Sequence, residues 1–365
     1  MKKFISLLAV CAVSVVSLAG CGGSQGSTSS SLAAVEKYGS DTLKLYNWGE
    51  YLGEDVISNF EEQFGVDVIV EYFDSNEMMY TKLLSGDSYD VLVPSDYMIE
   101  RLIKEDRLHK LDLSLIPNME YLADGVKNLA FDPNNEYSVP YFWGTVGIVY
   151  NHNNVPKEVV EEQGYSVLKN TDYKGRIYMY DSERDSFMVA LKALGYSMNT
   201  DNEDEINEAY NWLVELNNTM DPVYVTDEVI DNMAGGAMDM AVVYSGDAAY
   251  ILSENEDMSY SMPAEGTNIW VDSMVIPKNA ENPKLAHEFI NYILSYDASY
   301  DNSSTVGYAS TNKEVLADMS GEGGEYEGNE AYLPRENYEK DEVFNDNEVL
   351  RQMLSELWIK VKASQ

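Results

Sequence analysis

From residue 42 onward the apolar positions alternate between two periods. "LKLYN" is a short apolar run that reads as a strand, and "EDVISNFEEQFG" then sets Val56, Ile57, Phe60 and Phe64 at helical spacing, with Gly65 as the stop. "VDVIVEYF" predicts a second strand. "SNEMMYTKLLSG" predicts a helix opened by Ser75 or Asn76 and closed by Gly86. "YDVLVPSDY" and "DYMIERLIKED" give a third strand and a third helix. Such alternation predicts a parallel sheet covered by helices, in which ligands sit beyond the carboxyl ends of the strands.

The pattern continues through residues 138–156, an apolar stretch long enough to cross into a second lobe. "GRIYMYDSERDSFMVALKALGY" and "MAGGAMDMAVVYSGDAAYIL" each read as strand, polar turn and helix, and "NEDEINEAYNWLVEL" as an amphipathic helix. "NIWVDSMVIPKNAENPKLAHEFINYIL" crosses back through a polar aromatic turn, a strand at 274–277 and a helix opened by Pro283. An acidic, exposed loop at 320–342 precedes a last amphipathic helix with Leu350, Leu354, Leu357 and Trp358 facing inward. The 365 residues exceed the roughly 250–300 at which a single core stops growing, so two lobes are expected.

Composition narrows the partners. The chain carries 24 Lys and Arg against 63 Asp and Glu, a formal charge of −39. Nucleic acid is excluded as a partner, since phosphate neutralisation needs basic residues, whereas small cations are attracted. A hydrophobic content of 45% argues for a folded protein. The N-terminus, "MKKFISLLAVCAVSVVSLAGC", has a basic start, a short apolar run and a small-residue end, which reads as a secretory signal over residues 1–20. Its "LAGC" ending resembles the bacterial lipobox. That resemblance implies cleavage before Cys21, lipidation of its thiol and anchoring to the outer face of the cell membrane, in the periplasmic space where a cell has two membranes. Residues 21–41 would then comprise the lipidated Cys21 and a flexible Gly/Ser-rich tether. Cys11 would leave with the signal, so no intrachain disulfide is expected.

Catalytic signatures are missing. The three histidines, His109, His152 and His287, have no ligand spacing, and there is no phosphate loop, nucleophile elbow or reactive cysteine. No metal site and no cofactor is expected. Of six arginines only Arg184 falls in a strand-end turn, which disfavours an anionic ligand. The strand-end turns instead collect Trp48, Tyr51, Ser95, Tyr97, Asp185, Tyr244, Asp247, Trp270, Asp272 and Tyr308. Aromatic faces with carboxylates suit a flexible alkyl chain bearing ammonium groups. Methylenes pack on the rings, each cation–π contact gives roughly 0.5–2 kcal/mol, and the carboxylates accept charge-assisted hydrogen bonds. Each residue also has a purely structural reading. Either tryptophan could be core, Ser95 or Asp247 a helix cap, Asp185 a solvated first-turn acid, and the tyrosines ordinary half-buried side chains.

The segments "LYNWGEYL", "YDVLVPSDYMIERLIKED", "FDPNNEYSVPYFWGT", "WVDSMVIPKNAENPK" and "STVGYAST" closely resemble the spermidine/putrescine-binding proteins of bacterial polyamine ABC transporters, over residues 42–313. The resemblance implies an α/β periplasmic-binding-protein fold of type II: two lobes, each a mixed sheet flanked by helices, joined by two crossover strands. Lobe 1 would hold 42–144 plus 270–316 and lobe 2 would hold 145–269 plus 317–365. It also implies a monomer without catalysis that captures putrescine or spermidine and delivers it to an ABC permease. Trp48 and Tyr51 match the family's first aromatic positions, Ser95 and Tyr97 its Ser-x-Tyr, Trp270 and Asp272 its Trp-x-Asp, and Tyr308 the Tyr of its Gly-Tyr. Tyr244 stands where the family usually has Trp, and Asp247 matches an acid of its putrescine-preferring members. The paired acids of spermidine binders are here Ser182 and Asp185, and Phe344 stands near the C-terminus in place of a Gln. Rival readings are a binding protein for another solute (a thiamine-like compound, a sugar, a metal ion) and a lipid-anchored glycosidase-type hydrolase.

Overall fold

The first apolar run folds as β1 (Thr42–Trp48), which pairs in parallel with β2 (Asp67–Phe73) on one side and β3 (Val91–Leu92) on the other. Between them lie α2 (Val56–Phe64) and α3 (Asn76–Leu84), and α4 (Asp96–Lys104) follows β3. A further helix, α1 (Gln25–Tyr38), precedes β1. The stop and start signals act as expected: Gly65 ends α2 in the left-handed region at φ 67°, and Ser75 caps α3 by accepting from the Met78 N–H at 3.1 Å. The computed structural model describes residues 25–335 and 338–365. The expected signal and Cys21 lie outside these.

The crossover is β4 (Ser138–Asn151), buried along all but its last residue. It is followed by α5 (Lys157–Gln163), β5 (Ile177–Tyr180), α6 (Glu183–Ala193), α7 (Glu203–Met220), β6 (Val223–Val225), α8 (Glu228–Ala234), β7 (Met240–Tyr244), α9 (Ser245–Glu254) and β8 (Met258–Ser261). The return strand is β9 (Ile269–Val275), followed by α10 (Pro283–Ile293), α11 (Tyr296–Val306), β10 (Ala309–Ser310), α12 (Lys313–Ser320) and α13 (Glu348–Lys362). The sheet runs β2-β1-β3-β9-β4-β7-β5-β6. Strand β4 changes partners along its length: Ser138 to Thr145 pair antiparallel with β9, and Val146 to Asn151 with β7 and β8. The fold is therefore a two-lobe α/β architecture, with β4 and β9 passing between two half-sheets whose helices cover both faces.

Three expectations need correction. Residues 25–38 form α1 rather than a tether. The run "SLAAVEKY" is rich in helix formers, Ala34 is buried, and Lys37 and Tyr38 both donate to Glu288, at 3.1 and 3.0 Å. The return strand covers Ile269–Val275 and not 274–277, so Trp270 and Asp272 sit inside a strand; pairing with β4 overrides their polar look. The acidic loop is not wholly exposed, because Tyr326 and Tyr332 stack at 4.2 Å and bury themselves beneath its outward acids.

Asp132 fixes the entry to β4. Its buried carboxylate accepts from the N–H groups of Glu136, Tyr137 and Ser138 at 3.0, 2.9 and 2.9 Å, and from the Ser138 hydroxyl at 2.8 Å. Asp132→Ala leaves these donors buried and unpaired, and urea unfolding should show a loss of about 2–4 kcal/mol. A loss below ~1 kcal/mol would mean water replaces the carboxylate at no cost.

Candidate functional site

The carboxyl ends of the strands and the N-termini of α4, α6 and α9 converge between the half-sheets. Four acids stand in the first turns there: Asp96, Glu183, Asp185 and Asp247. The helix dipole favours negative charge at each position. A fifth, Asp272, projects from β9, within the strands that link the lobes.

Asp272 is buried and accepts from the Tyr51 hydroxyl at 2.8 Å, a contact between residues 221 apart in sequence. Ser95 lies beside it, the two residues forming an isolated backbone bridge. Ser95 occupies the N-cap position of α4 but makes no capping bond; its hydroxyl accepts from Asn76 Nδ2 at 3.0 Å. Asn76 also donates to the Tyr97 hydroxyl at 3.1 Å, which fixes that ring. Across the cleft, Tyr244 donates to Asp185 at 2.7 Å and Tyr308 to Asp247 at 3.3 Å. Asp185 is buried and not in a solvated turn.

The rings form a continuous wall. Tyr51 lies 5.9 Å from Tyr308, Tyr308 lies 4.8 Å from Trp270, Trp270 lies 6.2 Å from Tyr244, and Tyr244 lies 4.8 Å from Tyr180, all close to edge-to-face. Glycines make this approach possible. A Cβ on Gly246 would stand 2.2 Å from two Tyr308 ring atoms, and one on Gly144 would stand 2.5 Å from the Trp270 indole. Trp48 stands slightly apart: its indole N–H donates to the Val93 carbonyl at 2.8 Å and its ring meets Phe73 at 4.5 Å. Its link to the cluster is the backbone leading to Ser95.

Electrostatics set the character of this site. Burial pushes Asp247 up to about 7, with the Asp227 charge adding to the effect and the Tyr308 hydrogen bond opposing it. Burial likewise lifts Asp272 to about 6 against its bonds from Ser95 and Tyr51. Asp185 is raised by burial in spite of Ser182, Tyr244 and Arg184. Asp96 rises to about 8, although the amides of Tyr97 and Val271 donate to it. No lysine appears among the groups that most offset these acids; the positive charge acting on Asp185 and Asp96 is that of Arg184. Carboxylates held in low dielectric without cations are sites where a cation gains most. No cluster of three or more metal-ligating residues occurs among the described residues. His287 is occupied by the fold, accepting from the Asp112 N–H and paired with the Pro283 carbonyl.

The structure thus gathers Tyr51, Ser95, Asp185, Tyr244, Asp247, Trp270, Asp272 and Tyr308 into one cluster, with Tyr97 joined through Asn76. Sequence reasoning missed Tyr180 and Asp227, which hydrogen-bond each other and interact electrostatically with Asp247, and left Arg184 and Asp96 unassigned. Tyr180 ends β5, so the strand-end rule that found Tyr244 could have found it.

The family model described as bacterial extracellular solute-binding protein matches residues 55–331. The spermidine/putrescine-binding periplasmic protein of Escherichia coli (strain K12) is 34% identical over 284 residues, covering 77% of this chain and 80% of that protein. The putrescine-binding periplasmic protein SpuD of Pseudomonas aeruginosa (strain UCBPP-PA14) is 32% identical over 277 residues, covering 69% and 73%. Among solved structures, the spermidine/putrescine ABC transporter substrate-binding protein PotD of Streptococcus pneumoniae superposes with a TM-score of 0.77 at 34% identity, covering 89% of this chain and 99% of that one.

The raised acids give a stability signature. An unfolded Asp titrates near 3.9, so between pH ~4 and ~7 the folded protein binds more protons than the unfolded chain, and its stability falls as pH rises through that window. Asp247→Asn removes part of this cost. At pH 8 the ligand-free variant should be more stable than the native protein by on the order of 1–3 kcal/mol, and at pH 4 the gap should close. Parallel melting curves at both pH values that show no such convergence would refute burial as the cause.

Proposed function

The chain belongs to the bacterial extracellular solute-binding protein family, and from that premise we propose that it captures a linear polyamine, putrescine or spermidine, and delivers it to an ABC permease. The observation that carries this reading is the set of cation-poor carboxylates, Asp185 and Asp272 buried and Asp247 half-buried, joined by an aromatic wall. A polyamine offers what that set lacks. Its ammonium groups neutralise Asp272 at one end and Asp185 or Asp247 at the other. Its methylenes lie against Tyr308, Trp270 and Tyr244, which part to admit it when the lobes open. Closure then excludes water, and each charge pair strengthens as the effective dielectric falls. Ligand shifts the population toward the closed form, which the permease recognises. The chemistry is capture and release, with the ligand unaltered. In this reading the protein works as an exported monomer held to the outer face of the membrane through lipid on Cys21.

Calorimetry tests the ligand directly. Putrescine or spermidine should bind at micromolar Kd or tighter and be recovered intact. Asp272→Asn should weaken binding by more than roughly 1.5 kcal/mol, a little over tenfold. Unchanged affinity in that variant would remove Asp272 from the site, and capture of a neutral or anionic solute in preference to all linear polyamines would remove the proposal.

Proton linkage offers a second check. A bound ammonium stabilises the ionised form of an acid beside it, so binding below pH ~7 displaces protons from Asp247 and Asp272. Affinity should therefore rise as pH rises from about 5.5 to 7.5, by up to tenfold per unit for each proton released. The observed heat should depend on the ionisation enthalpy of the buffer. Heats that are identical in phosphate and Tris at pH 6.5 would show that no proton leaves.

A further inference from the structure

Arg184 is in an unfavourable place for a cation. It is the second residue of α6, where the helix dipole presents partial positive charge, and it stands in a cleft read here as a cation receptor. Among the described residues it makes no ion pair within bonding distance. Its guanidinium instead lies over the ring of Tyr97, 3.7 Å from the centroid, with the Phe344 ring on another side at 5.7 Å. Tyr97 belongs to α4 on the half-sheet of β1–β3, whereas Arg184 belongs to α6 on the half-sheet of β5–β7. The contact therefore spans the cleft.

We propose that Arg184 is a positioning residue that latches the two lobes in the closed state, by stacking on Tyr97 across the cleft and lending its charge to the acids of both lobes there. The receiving side is pre-set: Asn76 donates to the Tyr97 hydroxyl at 3.1 Å, and that hydroxyl lies 3.4 Å from Glu77. The delivering side is pre-set as well, because Ser182 caps α6 through the Asp185 N–H and the buried Phe344 ring flanks the guanidinium. A planar guanidinium on a ring face is a contact that only closure makes, and it disappears once the lobes part. Its charge acts on Asp96 from one lobe and on Glu183 and Asp185 from the other, so closing brings acids of both lobes to one cation. The latch supplements the ligand and does not compete with it, since the surrounding acids outnumber the single arginine.

This inference rests on the solute-capture reading for its binding arm but not for its conformational arm. Arg184→Gln keeps much of the stem and removes the charge; Arg184→Lys keeps the charge and removes the flat stacking surface. Small-angle scattering on the ligand-free chains should give a larger radius of gyration for Arg184→Gln than for the native protein. Stopped-flow binding of putrescine should show Kd raised about tenfold or more, through faster dissociation with association little changed. Arg184→Lys should fall between the two. A native protein that binds neither putrescine nor spermidine would sink the polyamine reading and leave the scattering comparison to decide the latch. An Arg184→Gln protein as compact as the native one, or one that binds putrescine equally or more tightly, would overturn the latch; tighter binding would mean Arg184 only repels the ligand.

Discussion

The structure depends on burying carboxylates that the protein itself does not neutralise. Asp185 and Asp272 are buried, Asp247 is half-buried, and no lysine appears among the groups that offset them. Such groups are tolerated only where something favours the anion, and here three devices do. Helix N-termini supply partial positive charge to Asp185 and Asp247, tyrosine hydroxyls donate to all three acids, and Arg184 lends its charge to Asp185. Together they do not suffice, which is why the acids stay raised. In the proposed reading the residual cost is the free energy a cationic ligand relieves, so the same feature that strains the ligand-free protein drives capture.

That cost also explains why the site is divided between lobes. Were all the acids on one rigid body, repulsion would be permanent. Strand β4 pairs with β9 over its first half and with β7 and β8 over its second, so the acids ride on two bodies joined by a pair of strands. Asp96 belongs to α4 on the first half-sheet and Asp185 to α6 on the second. Asp272 is the exception, since it lies on β9 itself and stays near the hinge. Its two donors, Tyr51 and Ser95, come from the first half-sheet, so its hydrogen bonding is built into one body and does not wait for closure.

Much of this was legible in the sequence, for identifiable reasons. Strand ends in a parallel sheet point to one edge, so Tyr244 at the end of β7 and Asp185 and Asp247 in the following first turns could be picked out from strand–turn–helix patterns alone. Trp270 and Asp272 could not be placed correctly that way. They occupy a strand whose polar look reads as a turn, and only pairing with β4 holds them extended. The partners of the acids were equally hidden, because Tyr51 with Asp272 and Tyr308 with Asp247 are joined across 221 and 61 positions. Helix α1 was obscured by its serine-rich first half, although its second half carries the helix formers and the buried Ala34 that dock it.

The net charge of −39 and the three cleft acids act on different stages of capture. Surface carboxylates are screened beyond about 8 Å at physiological ionic strength, so they raise the local concentration of cations and the encounter rate but contribute little to a bound complex. The cleft acids are enclosed by rings and backbone, where salt penetrates poorly and each charge interaction is several times stronger than in water. Added salt should thus slow association far more than it hastens dissociation. Selectivity among cations cannot come from the diffuse field, which treats a metal ion and an amine alike. In the proposed reading it comes from the aromatic wall of Tyr308, Trp270 and Tyr244, which a ligand with an apolar spacer between its charges can cover.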